Sequence, residues 1–291
     1  SMLAQFINLL YGFVDRIYIG NIQEVGGIAL AGAGVCGPVV TLISSFAAWI
    51  GLGGAPLVAI RMGEGNKKGA EQILATCVVL LLGLAAVLTG AFFALRRPLL
   101  LTFGASEVTL PYAESYLTII GCGTVVSILA AGLNQFIIWQ GYSTLGMITV
   151  VLGAVMIIGL DAIFIFSLNM GVAGAAAATE LSQEVSATFV VSVLRSKKVK
   201  VQITFGGYDR RIIKRWVSFG LSPFLILATD SIVIIALNSS LEIYGGAEHG
   251  DMLVTCATIV QSYMQLITMP MAGLTGGTQP VLSFNYGAKQ V

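Results

Sequence analysis

The sequence has little charge, a single histidine and no clustered cysteines, and each shortage excludes a class of protein. Only 10% of the 291 residues are charged and 56% are hydrophobic, with a mean hydropathy of +0.90, whereas soluble domains carry about 25% charged residues. No HExxH or GxSxG motif accompanies His249, so we expect no enzyme activity. We expect neither a disulfide framework nor a zinc site, because the cysteines stand singly in apolar sequence, at Cys36, Cys77, Cys122 and Cys256. The composition is that of a polytopic membrane protein, with the bilayer and not nucleic acid as its surroundings.

Long apolar runs separated by polar or glycine-rich turns predict eight membrane-spanning helices. A helix needs about 20 mostly apolar residues to cross a bilayer. The second and eighth runs are longer than this and each contains two prolines, so we expect tilted or kinked helices there. The runs lie near residues 2–20, 30–60, 72–95, 112–139, 143–167, 171–194, 212–241 and 252–284.

Basic residues fall mainly on one side of this predicted topology. If the first helix runs from the inside to the outside, all but three of the 15 Lys and Arg residues lie on the inner side, the three being Arg16, Arg96 and Arg97. The positive-inside rule then predicts a multi-pass protein of the cell (cytoplasmic) membrane, with the basic loops and the C-terminal end in the cytoplasm. A basic linker at 195–211 separates the first six spans (1–194) from the last two (212–291).

A short internal sequence repeat relates the second span to the eighth. Gly51-Leu-Gly-Gly54 recurs as Gly273-Leu-Thr-Gly276, and Gly65-Asn-Lys67 recurs as Gly287-Ala-Lys289. Since six spans separate the two copies, they have the same orientation, as in transporters built from parallel repeats. We therefore expect an all-α integral membrane fold, with one six-helix bundle whose first helix is truncated and the first two helices of an incomplete second bundle.

Five carboxylates interrupt the apolar spans, and a charge inside a membrane helix is costly enough to suggest a function. With a rise of about 1.5 Å per residue, Asp15 and Asp161 lie about 9 Å from the outer ends of their helices, and Glu180 about 14 Å. These comparable depths predict that three helices contribute to one hydrated pocket. The alternative is an ion pair or headgroup contact for Asp15, and a solvated or protonated group without a coupling role for Glu180 or Glu184. The fifth carboxylate is Asp230.

Several uncharged polar or adaptable side chains are candidates for a substrate cavity. They are typical of surfaces that bind varied amphipathic compounds, although interhelical hydrogen bonding or simple packing is the alternative for each of them. The candidates are Tyr11, Asn134, Gln261, Met264 and Gln265.

Motifs along the whole chain resemble those of the multidrug and toxic compound extrusion (MATE) transporters, in the DinF-like and MepA-like bacterial branch. The strongest are LYGFVDRIYIGNI, GLGGAPLVAIRMGEGNKKGAEQIL, TFGASEVTLPYAESYL and GLNQFIIWQGYS, followed by NMGVAGAAAAT, FGLSPF and QPVLSFNYGAK. The resemblance implies two six-helix bundles around a central cavity. It also implies a monomeric antiporter that exports cationic or amphipathic compounds by alternating access against H+ or Na+, with no other cofactor.

The resemblance also implies a cation-coupling site in the first bundle. Archaeal and DinF-like relatives use the aspartate of the LYGFVD motif, here Asp15, an aspartate and an asparagine on the fifth helix, and a threonine on the sixth. Asp161 and Thr179 match, but Ile157 replaces the asparagine and Ala162 replaces a proline of the fifth-helix motif. A Na+ ion at Asp15, Asp161 and Thr179 would lack the amide oxygen, and hard cations need several oxygen ligands.

Two further carboxylates enter the coupling hypothesis. Glu180 follows Thr179 directly and could partly compensate for the missing amide, although consecutive helical residues point about 100° apart. Asp230 matches a seventh-helix position where Na+-coupled bacterial relatives carry a glutamate, which suggests a second cation site.

The sequence favours H+ as the coupling ion, because two carboxylates that share a proton need few other partners. Protonation of Asp15 or Asp161 would alter hydrogen bonding and helix packing, and so couple ion and substrate through their different affinities for two states. The alternative is a lipid-linked oligosaccharide flippase of the same superfamily, which should have a more basic cavity.

Overall fold

The structure is a computed structural model that describes residues 2–22, 26–103, 105–204, 206–207 and 210–290. Within these residues the chain is helical and contains no strand, which confirms the predicted all-α class. The helices are α1 (Met2–Gly20), α2 (Gly26–Gly63), α3 (Lys67–Thr102), α4 (Leu110–Trp139), α5 (Ser143–Asp161) and α6 (Gly171–Arg195).

The last helical segment, Arg210–Gly287, consists of two helices that meet at Gly246. Gly246 has a φ of 64° and a ψ of −175°, which only glycine adopts readily. We call the part before it α7 and the part after it α8. In α8 the pieces Met252–Gln265 and Pro270–Gly287 are bent by 42° relative to each other, as the proline predicted. The polar loop expected between the seventh and eighth spans is reduced to this one non-helical residue.

Local signals in the sequence account for the helix ends. Asn66 caps α3 by accepting a hydrogen bond from the backbone N–H of Gly69 at 2.9 Å, and Gly65 supplies the left-handed turn before it with a φ of 75°. Ahead of α4, the N–H of Ser106 donates to the hydroxyl of Thr109 at 2.9 Å, and the N–H of Thr109 donates to the hydroxyl of Ser106 at 3.2 Å. This reciprocal pair satisfies donors that have no partner within the helix.

The helices differ in how well they suit a bilayer. Among the described residues, five helical segments are long and apolar enough to cross a membrane, or six if the bent pair in α8 is counted as one. These are α2, α3, α4, α5 with its continuation, α7 and the α8 pair. The predicted total of eight spans also includes α1 and α6, of 19 and 25 residues, whose apolar character is diluted by Asp15, Arg16, Glu180 and Glu184. The two helices with the weakest membrane signal therefore carry the suspected functional groups.

Helix α2 is the central element, since it packs against α3, α4, α7 and α8. Its contact with α7 is backbone to backbone: a Cβ on Gly53 would lie 2.8 Å from the Cα of Gly220. Further along, a Cβ on Gly63 would lie 2.9 Å from the backbone nitrogen of Ala288 and would collide with the backbone at Phe284, so α8 approaches equally closely. These glycines allow α7 and α8 to pack directly against the backbone of α2.

Most of the basic residues lie at one end of the bundle, which we call the basic end. The linker after α6 is fixed there by the α4–α5 turn, because the side-chain amide of Gln140 donates to the carbonyl of Val201 at 3.1 Å and accepts from its N–H at 2.8 Å. Gly207 lies against the side chain of Gln72 near the start of α3. This end carries Arg61, Lys67, Lys68, Lys197, Lys198 and Lys200.

Arg96 and Arg97 lie at the opposite end, and here the helix differs from the prediction. The third span was expected to end at residue 95, but α3 continues through Pro98 to Thr102. Arg96 donates to the hydroxyl of Thr118 at 3.2 Å and Arg97 pairs with Glu114 at 4.0 Å, both on α4. These contacts hold the last turns of α3 against α4.

Candidate functional site

A cavity of about 350 Å³ lies between α1, α2, α4, α5 and α6. Two of the five side chains predicted to line a substrate cavity, Tyr11 and Asn134, do line it. The other polar lining groups are uncharged and come from four helices: Ser44, Gln135, Ser143, Thr149, Gln183 and Ser186. Such a mixture of apolar walls and a few polar groups is typical of small-molecule sites.

Asn134 has an unused acceptor in this cavity. Its side chain is only 8% exposed, and its Nδ2 donates to the carbonyl of Gly146 at 3.3 Å. Its Oδ1 has no hydrogen-bond partner among the described residues. A buried acceptor without a donor costs stability, so the wall of the cavity can receive an N–H or O–H group.

Asp15 and Asp161 come together from α1 and α5. Their side chains lie within hydrogen-bonding reach of each other, and Asp161 is fully buried. Ionised carboxylates only accept hydrogen bonds. Accordingly, Oδ1 of Asp15 and both carboxylate oxygens of Asp161 have no donor within the part of the chain that the structure describes. A single proton shared by the two groups would supply that donor.

Thr179 lies within about one helical turn of the level of Asp161, on the neighbouring helix. Helices α5 and α6 run antiparallel, and two contact points set their register: the hydroxyl of Ser186 donates to the carbonyl of Thr149 at 3.4 Å, and a Cβ on Gly174 would lie 3.0 Å from the carbonyl of Phe164. Interpolated between these points, Asp161 lies opposite about residue 176, so Thr179 is about three residues, or about 4.5 Å along the helix axis, closer to the basic end. Thr179 itself is half-buried.

The cavity lies one helical turn closer to the basic end than the carboxylates. Tyr11 lines it four residues before Asp15, and Ile157 lines it four residues before Asp161, on helices that run away from the basic end. Four residues make about one turn of an α-helix. The hydrated pocket that we expected at the carboxylates therefore lies about one helical turn below them, and neither aspartate is among its described lining residues.

A π-helical turn follows Asp161 directly. It comprises Ala162–Ser167, and within it the N–H of Leu168 donates to the carbonyl of Ile163 at 2.9 Å, five residues back. Such turns are rare in proteins, and those that occur often lie at functional sites. Here the turn carries the chain from Asp161 towards α6.

Glu180 contacts α4 and not the aspartate pair. Its carboxylate accepts a hydrogen bond from the hydroxyl of Ser127 at 3.4 Å. It also occupies the space that a Cβ on Gly123 would fill. Glu180 follows Thr179 in α6, but its side chain is directed to α4, so it does not supply the oxygen ligand that the sequence suggested.

Tyr116 on α4 is a site residue that the sequence reasoning missed. It lies within electrostatic range of all three carboxylates, Asp15, Asp161 and Glu180. A signal was present: Tyr116, Gly123 and Ser127 are spaced by seven and four residues, which places them on one face of a helix.

The remaining predicted site residues lie elsewhere. Asp230 on α7 is exposed, as are Met264 and Gln265 on α8, and Gln261 is half-buried. None of the four is among the described residues that line the cavity. The reason is that α7 and α8 pack mainly against α2, so their side chains do not enter the space between α1, α4, α5 and α6.

The described residues contain no cluster of three or more His, Cys, Asp or Glu side chains that could hold a metal ion. Glu184, the other carboxylate of α6, is exposed. The site is thus an aspartate pair, a nearby tyrosine and a separate glutamate around the far end of a polar cavity.

Comparisons with known proteins agree with this architecture. A sequence model of the MatE family matches residues 1–163. The chain is 28% identical to the probable multidrug resistance protein YpnP of Bacillus subtilis over 92% of its length and 59% of that protein. It is 22% identical to the multidrug export protein MepA of Staphylococcus saprophyticus over 98% of its length and 62% of that protein.

Solved structures give the same result. The MATE multidrug transporter DinF-BH, in complex with rhodamine 6G, superposes with a TM-score of 0.93 at 33% identity, over 99% of this chain and 64% of that one. A MOP superfamily transporter from Pyrococcus furiosus, whose binding pocket is described as reversed in polarity, superposes with a TM-score of 0.87 at 29% identity, over 99% and 63%.

The chain spans about three-fifths of the length of these relatives. Within that span the family match covers the helices that carry both aspartates, Asp15 and Asp161. The resemblance read from the sequence motifs is confirmed, and so is the expectation of a transporter and not an enzyme. The chain is a multi-pass membrane protein and belongs to the MatE family of transporters.

Proposed function

We propose that this chain forms the ion- and substrate-handling part of a secondary active multidrug exporter, which moves cationic or amphipathic compounds out of the cell against an inward flow of H+. The observation that carries the proposal is the contact between Asp15 and Asp161, about one helical turn beyond a polar cavity. Two facing carboxylates without donors favour a bound proton or cation. A ligand in the cavity below would lie within about one helical turn of them.

The character of the cavity supports a cationic or amphipathic substrate. Its volume of about 350 Å³ suits a small molecule, and the described lining residues include no Lys or Arg. Beyond its far end lie the carboxylates of Asp15 and Asp161, which attract cations, although Arg16 beside Asp15 offsets part of that charge. A flippase for pyrophosphate-linked lipids would need positive charge in this place, so we favour the exporter over that alternative. MepA is named as a multidrug export protein and DinF-BH was solved with rhodamine 6G, which supports the same substrate class.

The surroundings of the aspartate pair support H+ over Na+. At the level where an amide oxygen would complete a Na+ site, the chain has the apolar side chain of Ile157, which is 2% exposed. Besides the two carboxylates, the oxygen groups that we identify near the pair are two hydroxyls, that of Tyr116 on α4 and, within about one helical turn, that of Thr179 on α6. A hard cation needs about six oxygen ligands, whereas one proton between two carboxylates needs none beyond them.

Exchange would follow from a change in charge at the pair. With a proton bound, Asp15 and Asp161 join through a hydrogen bond and hold α1 against α5. Loss of the proton leaves two facing negative charges, which a cationic substrate in the cavity stabilises. Proton and substrate then favour different states of the same helices, which is the requirement for antiport. The basic end would face the cytoplasm.

The decisive experiment uses the full-length transporter that contains this chain, reconstituted in liposomes and tested with rhodamine 6G. We expect an imposed proton gradient to drive rhodamine 6G transport and an imposed Na+ gradient to have no effect. Asp15→Asn should abolish the proton-driven transport, whereas Glu184→Gln, a change at the exposed carboxylate of α6, should preserve it. Undiminished transport by Asp15→Asn, or transport driven by Na+ alone, would contradict the proposal.

A further inference from the structure

Glu180 is a carboxylate at the site that the aspartate pair does not use. It lies on α6 beside Thr179, but its contacts are with α4, where Ser127 donates to it and Gly123 leaves room for it. The fit is close, because any side chain at position 123 would occupy the position of the carboxylate. Residue 123 therefore has to be glycine for Glu180 to lie in this place.

The charges around Glu180 do not neutralise it. Tyr116 on α4 lies within electrostatic range of Glu180 and also of Asp15 on α1 and Asp161 on α5, and none of these groups brings a positive charge. The ion pairs between Arg61 and Glu64, Lys67 and Glu71, and Arg97 and Glu114 lie near helix ends. Glu180 instead accepts one bond from a neutral hydroxyl. A half-buried negative charge with so little compensation favours uptake of a cation.

The geometry favours a proton as that cation. Helix α6 contributes Gln183 and Ser186 to the described lining of the cavity, whereas the carboxylate of Glu180 is held against the backbone of α4 one turn away. A substrate in the cavity therefore contacts Gln183 before it reaches Glu180. With Ser127 as its one hydroxyl partner, the position also offers too few oxygen ligands for Na+.

We propose that Glu180, seated on Gly123 and bound by Ser127, is a second proton-binding group of this transporter, separate from the Asp15–Asp161 pair. The proposal rests on the proton-coupled function proposed above and adds one proton to each exchange. When substrate binds, the protonated carboxyl group of Glu180 becomes a carboxylate and its proton passes to the solution. The shared proton of the aspartate pair leaves in the same step.

The test counts the protons released when the probe binds. The full-length transporter is purified in detergent, rhodamine 6G binding is followed by fluorescence polarisation in a weakly buffered solution, and a pH indicator reports the release. We expect Glu180→Gln to release about one proton fewer per bound rhodamine 6G than the unmodified protein. Glu184→Gln, four residues away on the exposed face of α6, should release the same number as the unmodified protein.

A second variant separates proton binding from a structural role. Gly123→Ala leaves Glu180 in the sequence but removes its seat, so it should also lower the proton release, whereas Gly159→Ala on α5, where a Cβ meets nothing within 4 Å, should not. Thermal unfolding and rhodamine 6G affinity are measured on the same samples. If Glu180→Gln or Gly123→Ala folds, binds rhodamine 6G and releases as many protons as the unmodified protein, the proposal is wrong. If the unmodified protein binds the probe without releasing any proton, the proposed proton coupling itself fails.

Discussion

The cavity region and the interface of α2 with α7 and α8 are packed in different ways. On the cavity side, where α1, α4, α5 and α6 meet, four buried acceptor oxygens lack a donor among the described residues: Oδ1 of Asn134, Oδ1 of Asp15 and both carboxylate oxygens of Asp161. On the other side, α2 meets α7 and α8 through glycines and aromatic rings, with backbones as close as side-chain-free residues allow. The side of α2 that faces α7 also leaves a buried group without a partner among the described residues, Nε1 of Trp49, but none of its buried, unpartnered groups is a carboxylate.

The aromatic contacts show how firmly the second side is joined. Trp49 on α2 stacks on Trp216 with ring centroids 5.3 Å apart, and lies 4.9 Å from the ring of Phe224. Trp216 also donates from Nε1 to the backbone carbonyl of Trp49 at 3.1 Å. The difference teaches that the α2–α7–α8 interface contributes stability, whereas the cavity side gives up stability for groups that await a ligand or a proton.

The largest effect should come from the aspartate pair, and it should fall on transport alone. Asp161→Asn keeps the shape of the side chain, and its amide can donate to Asp15, so the unfolding temperature should stay the same or rise. Proton-driven rhodamine 6G transport in liposomes should fall by at least about tenfold. A variant that lost transport and stability in parallel would remove the distinction between the two sides.

The opposite result is expected at the glycine interface. In Gly220→Ala the new Cβ would lie 2.6 Å from the ring of Trp49 and would meet the backbone carbonyl of the same residue. Overpacking of this kind should destabilise the protein by about 1–3 kcal/mol, measured as thermal unfolding in detergent. Gly276→Ala on α8 is the control, because a Cβ there meets nothing within 4 Å. Equal stability of the two variants would show that the close approach is not required.

A smaller effect separates binding from stability within α4. Asn134→Ala removes the unused acceptor in the cavity, so rhodamine 6G affinity should fall by about three- to tenfold, the value of one hydrogen bond. Gln140→Ala, one and a half turns later, removes the two bonds to Val201 and should lower thermal stability without changing the affinity. Fluorescence polarisation and thermal unfolding on both variants test this; an unchanged affinity in Asn134→Ala would exclude the residue from the binding site.

The smallest effect compares two tryptophans that stack on each other. Trp216→Phe loses the hydrogen bond from Nε1 to Trp49, whereas Nε1 of Trp49 is buried without a partner among the described residues. Trp216→Phe should therefore cost about 1 kcal/mol more stability than Trp49→Phe. The unfolding curves of the two variants decide the point, and the reverse order would show that the ring volume of Trp49 matters more than the bond.

Hydropathy and turn chemistry predicted the helices well because both are local properties. The predicted fifth span at 143–167 corresponds to α5 and its π-helical turn, and the sixth at 171–194 ends one residue before α6 does. The third span failed at its far end, since the polar residues Arg96 and Arg97 looked like a loop but are held to α4 by Thr118 and Glu114. That contact is not local.

The site was predictable only in part for the same reason. Depth along each helix indicated that Asp15 and Asp161 lie at one level, and the structure places them together. It could not indicate the direction of Glu180, which depends on the gap at Gly123 on another helix. Tyr116 escaped notice because a tyrosine in an apolar helix is ordinary until its neighbours are known. Asp230 is exposed on α7, and its part in a second cation site stays a prediction.

The π-helical turn after Asp161 contains an extra residue. A turn of this kind contains one residue more than the α-helix needs, and each residue in a regular helix advances the direction of the next by about 100°. If that extra residue migrated along Ala162–Ser167, the segment in between would rotate by one step while both α5 and α6 kept their lengths. The connection between Asp161 and the helix that carries Thr179 and Glu180 could therefore change its rotation while both helices keep their lengths.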